Sequence, residues 1–429
     1  MDKGTRIKLS IMMFLQYAFN GIWIIPLATY LSFVGYSADN IGNVYGTFAL
    51  GGIIAPFFIG MFADRFFQAQ KLLATLNIVA GVLLIFAAKA SVGPDGLAVK
   101  NASGEPVLGV FYWLLLAHFI CYMPTWALTN SIAFRQMKNT AKEFPAVRVM
   151  GTFGWITVSA VTLFSDQINA ALGNSIPFEQ SVIPLYFGAA IGIAAGLFAF
   201  ALPQTLPEGK GEEGSFADIL GLKALRLFKD KNFAIFAVSS FLIFFPAMFY
   251  WAFANMYLNE FPSMKGAAFW QSTGQMMEVV FLVIMPFFFV RLGVKKMLLI
   301  GMFAWIARFV CFSYGDWETS AWIIVLIGLI LHGPCFDFFF VTGQLYTDQK
   351  ADKSIQSQAQ GLNSFITFGL GWFLGSKVAG LVVDHYAIAI GDGVGHDWHT
   401  IWLIPIGMAA ALIVFFMLFF KDKTLIGHD

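Results

Sequence analysis

Charge is scarce in this chain. Only 12% of its 429 residues are Asp, Glu, Lys or Arg, whereas a soluble domain carries roughly 25%. With 58% hydrophobic residues and a mean hydropathy of +0.73, the composition excludes an ordinary soluble fold. A net charge of +1 also provides no excess of positive charge for nucleic acid. The composition therefore predicts an all-α integral membrane protein that does not bind nucleic acid.

Motifs of enzymes and ATP-driven pumps are absent from the sequence as well. It contains no His-Glu-x-x-His, no Gly-x-x-x-x-Gly-Lys-Ser/Thr loop and no soluble stretch long enough for a nucleotide-binding domain. Its three cysteines, Cys121, Cys311 and Cys335, all lie in apolar runs, as small buried side chains do. We therefore expect no enzymatic activity, no metal and no cofactor.

Long apolar runs account for most of the chain. A membrane-spanning helix needs roughly 20 mostly apolar residues. The sequence predicts twelve such helices, at 8–34, 41–63, 72–90, 108–134, 149–165, 181–202, 233–258, 268–290, 296–314, 320–346, 358–383 and 400–420.

The positions of Lys and Arg residues indicate on which side of the membrane each loop lies. Short cytoplasmic loops carry an excess of them, and 21 of the 26 fall on the face that also holds both chain ends. Only Lys89, Lys100 and Lys265 fall on the other face, while Arg308 and Lys377 lie inside spans. We therefore predict a multi-pass protein with both termini in the cytoplasm.

The longest hydrophilic stretch divides the spans six and six. Residues 203–231 contain Pro, Gly, Glu and Lys in close succession. We predict an N-terminal bundle over 1–202, a cytoplasmic linker over 203–231 and a C-terminal bundle over 232–429. Within the linker, the segment from Phe216 to Phe228 has apolar and basic faces at helical spacing, which indicates a short interfacial helix.

A loop motif follows the second span. Gly60-Met-Phe-Ala-Asp64-Arg65 resembles the Gly-x-x-x-Asp-Arg signature of the major facilitator superfamily, in which Gly permits close helix approach and Asp and Arg form a cytoplasmic charge latch. A basic loop, from Arg291 to Lys296, occupies the equivalent place in the second half. Twelve spans with this motif predict the major facilitator fold, two six-helix bundles, which suits alternating access better than a channel pore.

Several ordered strings carry a finer resemblance over nearly the whole chain. They are Phe14-Leu-Gln16, Tyr122-Met-Pro124-Thr125, Asn130-Ser131, Phe144-Pro145, Arg148-x-x-Gly151-Thr152-x-Gly154, Gln275-x-x-Glu278, Pro286-Phe-Phe and Phe336-Asp337-Phe-Phe. They are similar to those of the nucleoside:proton symporter family of that superfamily, the bacterial nucleoside permease type. The resemblance implies a monomer in the bacterial inner membrane that takes up nucleosides with protons through a central cavity.

Polar residues inside apolar spans are the candidate binding groups. Gln275 and Glu278 are three residues apart on one helix and so share a face. A carboxylate and an amide on one stripe suit the hydroxyls of a ribose or sugar. The alternative is that Glu278 merely pairs with Arg308 on the next helix.

Asp337 lies near the middle of the tenth span. A carboxylate at that depth must be neutral or paired, so Asp337 and Glu278 are our candidates for proton coupling, with Arg308 or Arg148 as counter-charge. His332, just over one helical turn earlier, is a candidate for the relay or the pocket, or else a packing residue.

A second candidate stripe begins the fifth span. Arg148, Thr152 and Trp155 follow each other at spacings of four and three. Together they offer a guanidinium, a hydroxyl and an aromatic face to a ring, although Arg148 could instead be a positive interfacial anchor. Phe336 and Trp23 are further stacking candidates, and Phe336 is the preferred Phe.

The sequence departs from the family pattern on the seventh helix. Met248 and Trp251 stand where the nucleoside permeases place an amide pair, and His332 stands where they tend to have Tyr. A changed pocket leaves three functions open: a proton-coupled nucleoside importer, a proton-coupled porter of a sugar or other polar metabolite, and a sensor that binds without transport.

Overall fold

The structure is a computed structural model that describes residues 1–66, 68–205, 222–390 and 393–422. The chain folds into two compact units. The first comprises Met1–Gly214 with Lys265–Phe269, and the second comprises Ser215–Met264 with Trp270–Asp429.

The first unit is helical. Its first span is broken at Pro26, which lacks the amide hydrogen that a continuous helix requires. The helices are α1 (Lys3–Ile24), α2 (Leu27–Phe33), α3 (Ala38–Phe66), α4 (Ala69–Ala90), α5 (Gly109–Arg135), α6 (Thr140–Ala160), α7 (Ser165–Leu172) and α8 (Ile183–Ala199), with 3-10 turns at Val161–Phe164 and Phe178–Gln180.

The second unit is also helical, apart from one antiparallel hairpin of β1 (Ala387–Ile390) and β2 (Gly393–His396). A 3-10 helix at Leu222–Lys229 precedes its first long helix. The helices are α9 (Lys231–Leu242), α10 (Phe244–Asn259), α11 (Ala267–Tyr314), α12 (Trp322–Ile330), α13 (His332–Phe336), α14 (Thr342–Lys350), α15 (Gln356–Ser364), α16 (Trp372–His385) and α17 (Trp398–Phe419), with π-helical turns at Asp337–Val341 and Phe365–Gly371.

The helices confirm the predicted membrane spans. Nine helical stretches of the described residues are long and apolar enough to cross a bilayer, and α8 is a shorter apolar helix. The 48-residue α11 consists of two helices, because Gly293 has φ 69° and ψ 171°, a conformation that essentially only glycine adopts. It therefore supplies both the eighth and the ninth predicted span.

Two cytoplasmic predictions lie partly outside the described residues. Gly60, Asp64 and Arg65 fall in the last turns of α3, whose side chains from residue 56 onwards are not described. The first six residues of the predicted interfacial helix, 216–221, likewise lie outside the described residues. Its described end, Leu222–Lys229, is the 3-10 helix, in which Arg226 binds Asp352 at 2.8 Å.

Candidate functional site

In the first unit, glycines on α6 allow α1 to approach closely. A Cβ on Gly154 would collide with the backbone carbonyl of Phe14, and one on Gly151 would lie 2.6 Å from the ring of Tyr17. This contact places the half-buried guanidinium of Arg148 4.3 Å above the centre of the Tyr17 ring. The planar cation is therefore held over an aromatic face.

The α6 stripe continues from Arg148 through Thr152 to Trp155, all half-buried. The indole nitrogen of Trp155 is buried and has no hydrogen-bond partner within the described part of the chain. Next to Arg148, Tyr17 stacks on Trp126 of α5 with ring centres 5.5 Å apart. The predicted stripe thus lies together, and Tyr17 and Trp126 extend it with aromatic faces that helical spacing on α6 alone cannot reveal.

Two of the strings that carry the family resemblance, on α1 and α5, meet in a buried polar network. Gln16 donates to the hydroxyl of Thr125 at 2.6 Å and accepts from the Asn77 amide at 3.1 Å. The hydroxyl of Tyr122 donates to the backbone carbonyl of Gln16 at 3.1 Å. These residues hold α1, α4 and α5 together, so the structure gives them a supporting role in this unit.

In the second unit, two glycines bring α11 against α12 and α13. A Cβ on Gly274 would lie 2.7 Å from His332 Cβ and 3.0 Å from the Leu329 carbonyl, and one on Gly333 would lie 2.6 Å from the Phe281 ring. Gly274 lies one residue before Gln275 and one turn before Glu278. The missing side chain therefore lets His332 settle beside the amide and carboxylate face of α11.

We expect Gly274→Ala to disturb this face. Real Cβ atoms essentially never approach within 2.7 Å, so His332 or the helix must shift, which costs about 1–3 kcal/mol. Uptake of the solute that the sequence resemblance implies should fall by about tenfold at an unchanged amount of inserted protein. Gly361→Ala is the matched control, because nothing lies within 4 Å of its Cβ. Equal uptake by both variants would refute the importance of the close approach.

Glu278 lies beside His332. Its Oε2 is 3.9 Å from His332 Nε2, and 33% of its side chain is exposed whereas the imidazole is buried. One turn away on the same face, the buried side-chain oxygen of Gln275 has no hydrogen-bond partner among the described residues. The predicted pair is therefore assembled with an accessible carboxylate and an unused acceptor.

Arg308 is fully buried and contacts His332. Its Nη1 lies 3.0 Å from His332 Nδ1, and its guanidinium carbon lies 3.2 Å above the centre of the Tyr250 ring. Its Nε and Nη2 have no hydrogen-bond partner in the described part of the chain. Arg308 thus contacts His332, which in turn lies beside Glu278, an arrangement that neither the predicted role of Glu278 nor its alternative pairing with Arg308 included.

Asp337 is almost completely buried, with 1% of its surface exposed, and interacts electrostatically with Glu278. Neither of its carboxylate oxygens has a hydrogen-bond partner among the described residues. It begins the π-helical turn Asp337–Val341, a local widening that often occurs at functional sites. An ionised carboxylate without a partner is costly at this depth, so this is an environment for a protonated group.

Aromatic rings connect the candidate residues of this unit. Phe336 is half-buried and stacks on His332 with ring centres 5.9 Å apart, and it packs on Phe340 at 5.3 Å. Trp251 lies 5.7 Å from Phe340 and stacks on Trp372 at 5.1 Å with an angle of 13°. Trp372 was not predicted from the sequence, where it is one aromatic among many.

Met248 has a different environment from these aromatic residues. It is fully buried, and a Cβ on Gly375 of α16 would lie 3.0 Å from its Cγ. Met248 therefore packs α10 against α16, and the structure provides no exposed surface on it for a ligand.

Comparison with known proteins gives consistent matches over nearly the whole chain. A family model described as nucleoside H⁺ symporter matches residues 3–425. The chain is 38% identical over 423 residues to the putative nucleoside transporter YegT of Escherichia coli (strain K12), covering 98% of this chain and 94% of that protein. It is 31% identical to the xanthosine permease of the same organism, covering 98% of each. The crystal structure of nucleoside transporter NupG matches with a TM-score of 0.83 and 29% identity, over 98% of this chain and all of that one.

Proposed function

This chain belongs to the nucleoside H⁺ symporter family and is a proton-coupled importer of nucleosides, and we propose that polar and aromatic groups within each of its units take part in binding the substrate and carrying the proton. The major facilitator fold and the absence of enzymatic activity are confirmed by the same matches. It is a multi-pass protein of the inner membrane.

The observation that carries the proposed site is the set of polar groups on α11 and at the end of α13. Gln275 and Asp337 have buried oxygens without partners among the described residues, and Glu278 presents an accessible carboxylate beside His332. Groups of this kind are expensive to bury unless a ligand or proton satisfies them. A ribose supplies several hydroxyls that can donate to Glu278 and Gln275. We therefore assign the ribose to this face, with Phe336 as the stacking surface.

Within the first unit, the Arg148 stripe is a further proposed set of substrate-binding groups. The Arg148 guanidinium, stacked over Tyr17, can donate to acceptor atoms of a base, and Thr152 and Trp155 follow on the same stripe. Trp251 and Trp372 are a second stacked aromatic pair in the other unit. Met248 shapes the site through packing, since it is buried.

The proton is assigned to Asp337 and Glu278. Asp337 is neutral when it is buried without a partner, and it must release its proton when its surroundings become polar. Its electrostatic interaction with Glu278 connects this event to substrate, because a hydroxyl bound at Glu278 changes the charge that Asp337 experiences. Alternating access then moves both ligands together, as secondary transporters of this fold do.

Topology and assembly follow from the sequence. We propose cytoplasmic termini from the distribution of Lys and Arg, a lipid-embedded monomer from the superfamily resemblance, and the cytoplasmic charge latch at Gly60, Asp64 and Arg65.

Purified protein in liposomes tests this function. We expect an inward proton gradient to drive accumulation of labelled uridine and adenosine, and collapse of the gradient to abolish it. A panel of sugars should compete poorly. The proposal would be overturned if a sugar were accumulated and nucleosides were not, and binding without any flux would point to a sensor.

A further inference from the structure

His332 has two different neighbours at its two ring nitrogens. Nδ1 lies 3.0 Å from Nη1 of Arg308, and Nε2 lies 3.9 Å from the Glu278 carboxylate. The imidazole itself is 3% exposed, stacks on Phe336 and lies 5.6 Å from the ring of Tyr250. The next residue in the chain with a titratable side chain is Cys335, which is buried. Within the described part of the chain, the charged groups in contact with this ring are Arg308 at Nδ1 and Glu278 at Nε2.

The contact with Arg308 decides where the imidazole carries its proton. A guanidinium has only donors, so the nitrogen that faces it at hydrogen-bond distance must be an acceptor. A hydrogen on Nδ1 would oppose the hydrogen on Nη1. The single ring proton must therefore be on Nε2, and the ring is neutral.

From this geometry we infer that Arg308 is a positioning residue that fixes the tautomer of His332, so that Nε2–H is a permanent donor facing Glu278 and the substrate. His332 is accordingly a fixed hydrogen-bond donor of the binding site and not a member of the proton relay. The part of this inference that concerns substrate rests on the proposed function.

The spacing between His332 and Glu278 suits one hydroxyl group. An oxygen placed about 2.8 Å from both Nε2 and Oε2 completes a triangle on their 3.9 Å separation, with an angle of about 90° at the oxygen. Such a hydroxyl accepts from Nε2–H and donates to the carboxylate. A ligand without that hydroxyl leaves this pair unbridged, so the pair selects for a sugar hydroxyl. A tyrosine hydroxyl at position 332 could either donate or accept a hydrogen bond, whereas the imidazole Nε2–H with its fixed tautomer can only donate one.

Nitrogen NMR of ¹⁵N-histidine-labelled protein in nanodiscs tests the tautomer directly. The chain has six histidines, and His332→Gln identifies the signals of this ring by their loss. In the unsubstituted protein we expect an unprotonated Nδ1 and a protonated Nε2, unchanged between pH 5.5 and 8. Arg308→Lys retains a donor and should preserve this pattern. Arg308→Met should remove this constraint, so that the His332 ring shows mixed tautomers and titrates with pH.

Uridine binding to the same variants measures the consequence. We expect Arg308→Met to weaken binding by about tenfold, and Arg308→Lys to restore most of the loss. The preference for uridine over 2′,3′-dideoxyuridine should shrink in Arg308→Met. Arg226→Met is the control, because it removes an exposed guanidinium paired with Asp352 and should change neither spectrum nor binding.

A protonated Nδ1 in the unsubstituted protein, or an unchanged His332 spectrum in Arg308→Met, would overturn the inference. The spectrum requires no substrate. The expected tautomer in a protein that fails to bind uridine would therefore reject the proposed function and leave the positioning role of Arg308 intact.

Discussion

Replacement of Asp337 by Asn is expected to abolish proton-driven accumulation of uridine while exchange of internal for external uridine continues. Asn keeps the shape and the neutral charge of the protonated acid but has no proton to release. A pH difference of one unit supplies about 1.4 kcal/mol per proton, which corresponds to tenfold accumulation at one proton per substrate. The variant should lose this entire concentration ratio. Liposomes with and without the gradient measure it.

The matched control is Asp352→Asn, which also removes an acidic group but at an exposed position that pairs with Arg226. It should accumulate uridine as the unsubstituted protein does. Full gradient-driven accumulation by Asp337→Asn would remove Asp337 from the coupling scheme and leave Glu278 as the proton carrier.

Glu278→Gln is expected to produce the largest loss of binding. The substitution keeps the size of the side chain but replaces a charged acceptor, whose hydrogen bonds contribute about 1.5–3 kcal/mol. Uridine affinity should therefore fall by about ten- to a hundredfold. Gln275→Ala, which removes an uncharged partner, should have a smaller effect of about fivefold. Calorimetric titration with uridine measures both.

Glu318→Gln is the control for this series. It removes a carboxylate that accepts from the backbone of Ser263 in an exposed loop, outside the candidate site. Its affinity should be unchanged. If Glu278→Gln and Gln275→Ala bound uridine with full affinity, the assignment of the ribose to the α11 face would be wrong.

The sequence was sufficient to predict the twelve spans, because each needs only length and low charge and these are local properties. It also predicted that Gln275 and Glu278 share a face, because residues three apart on a helix do so. Asp337 and Arg308 were identifiable as rare ionisable groups inside apolar runs. Each of these inferences depends only on the residues of a single helix or on the overall composition of the chain.

Contacts between helices could not be predicted from the sequence. Gly274 is one of 41 glycines, and only the structure shows that its missing side chain admits His332. From the sequence, the Arg308 guanidinium could pair with either Glu278 or His332. In the structure it packs over the Tyr250 ring and contacts His332. Met248 and Trp251 are three apart on one helix, yet one is fully buried and the other stacks on Trp372.

The most direct measurement of the central claim is proton movement during uridine entry. Protein is placed in liposomes that contain a pH-sensitive dye, with no initial pH gradient, and uridine is added outside. The account predicts acidification of the interior with the unsubstituted protein and none with Asp337→Asn, although the latter still exchanges uridine. Uridine entry without acidification, or acidification of equal size with Asp337→Asn, would contradict the account.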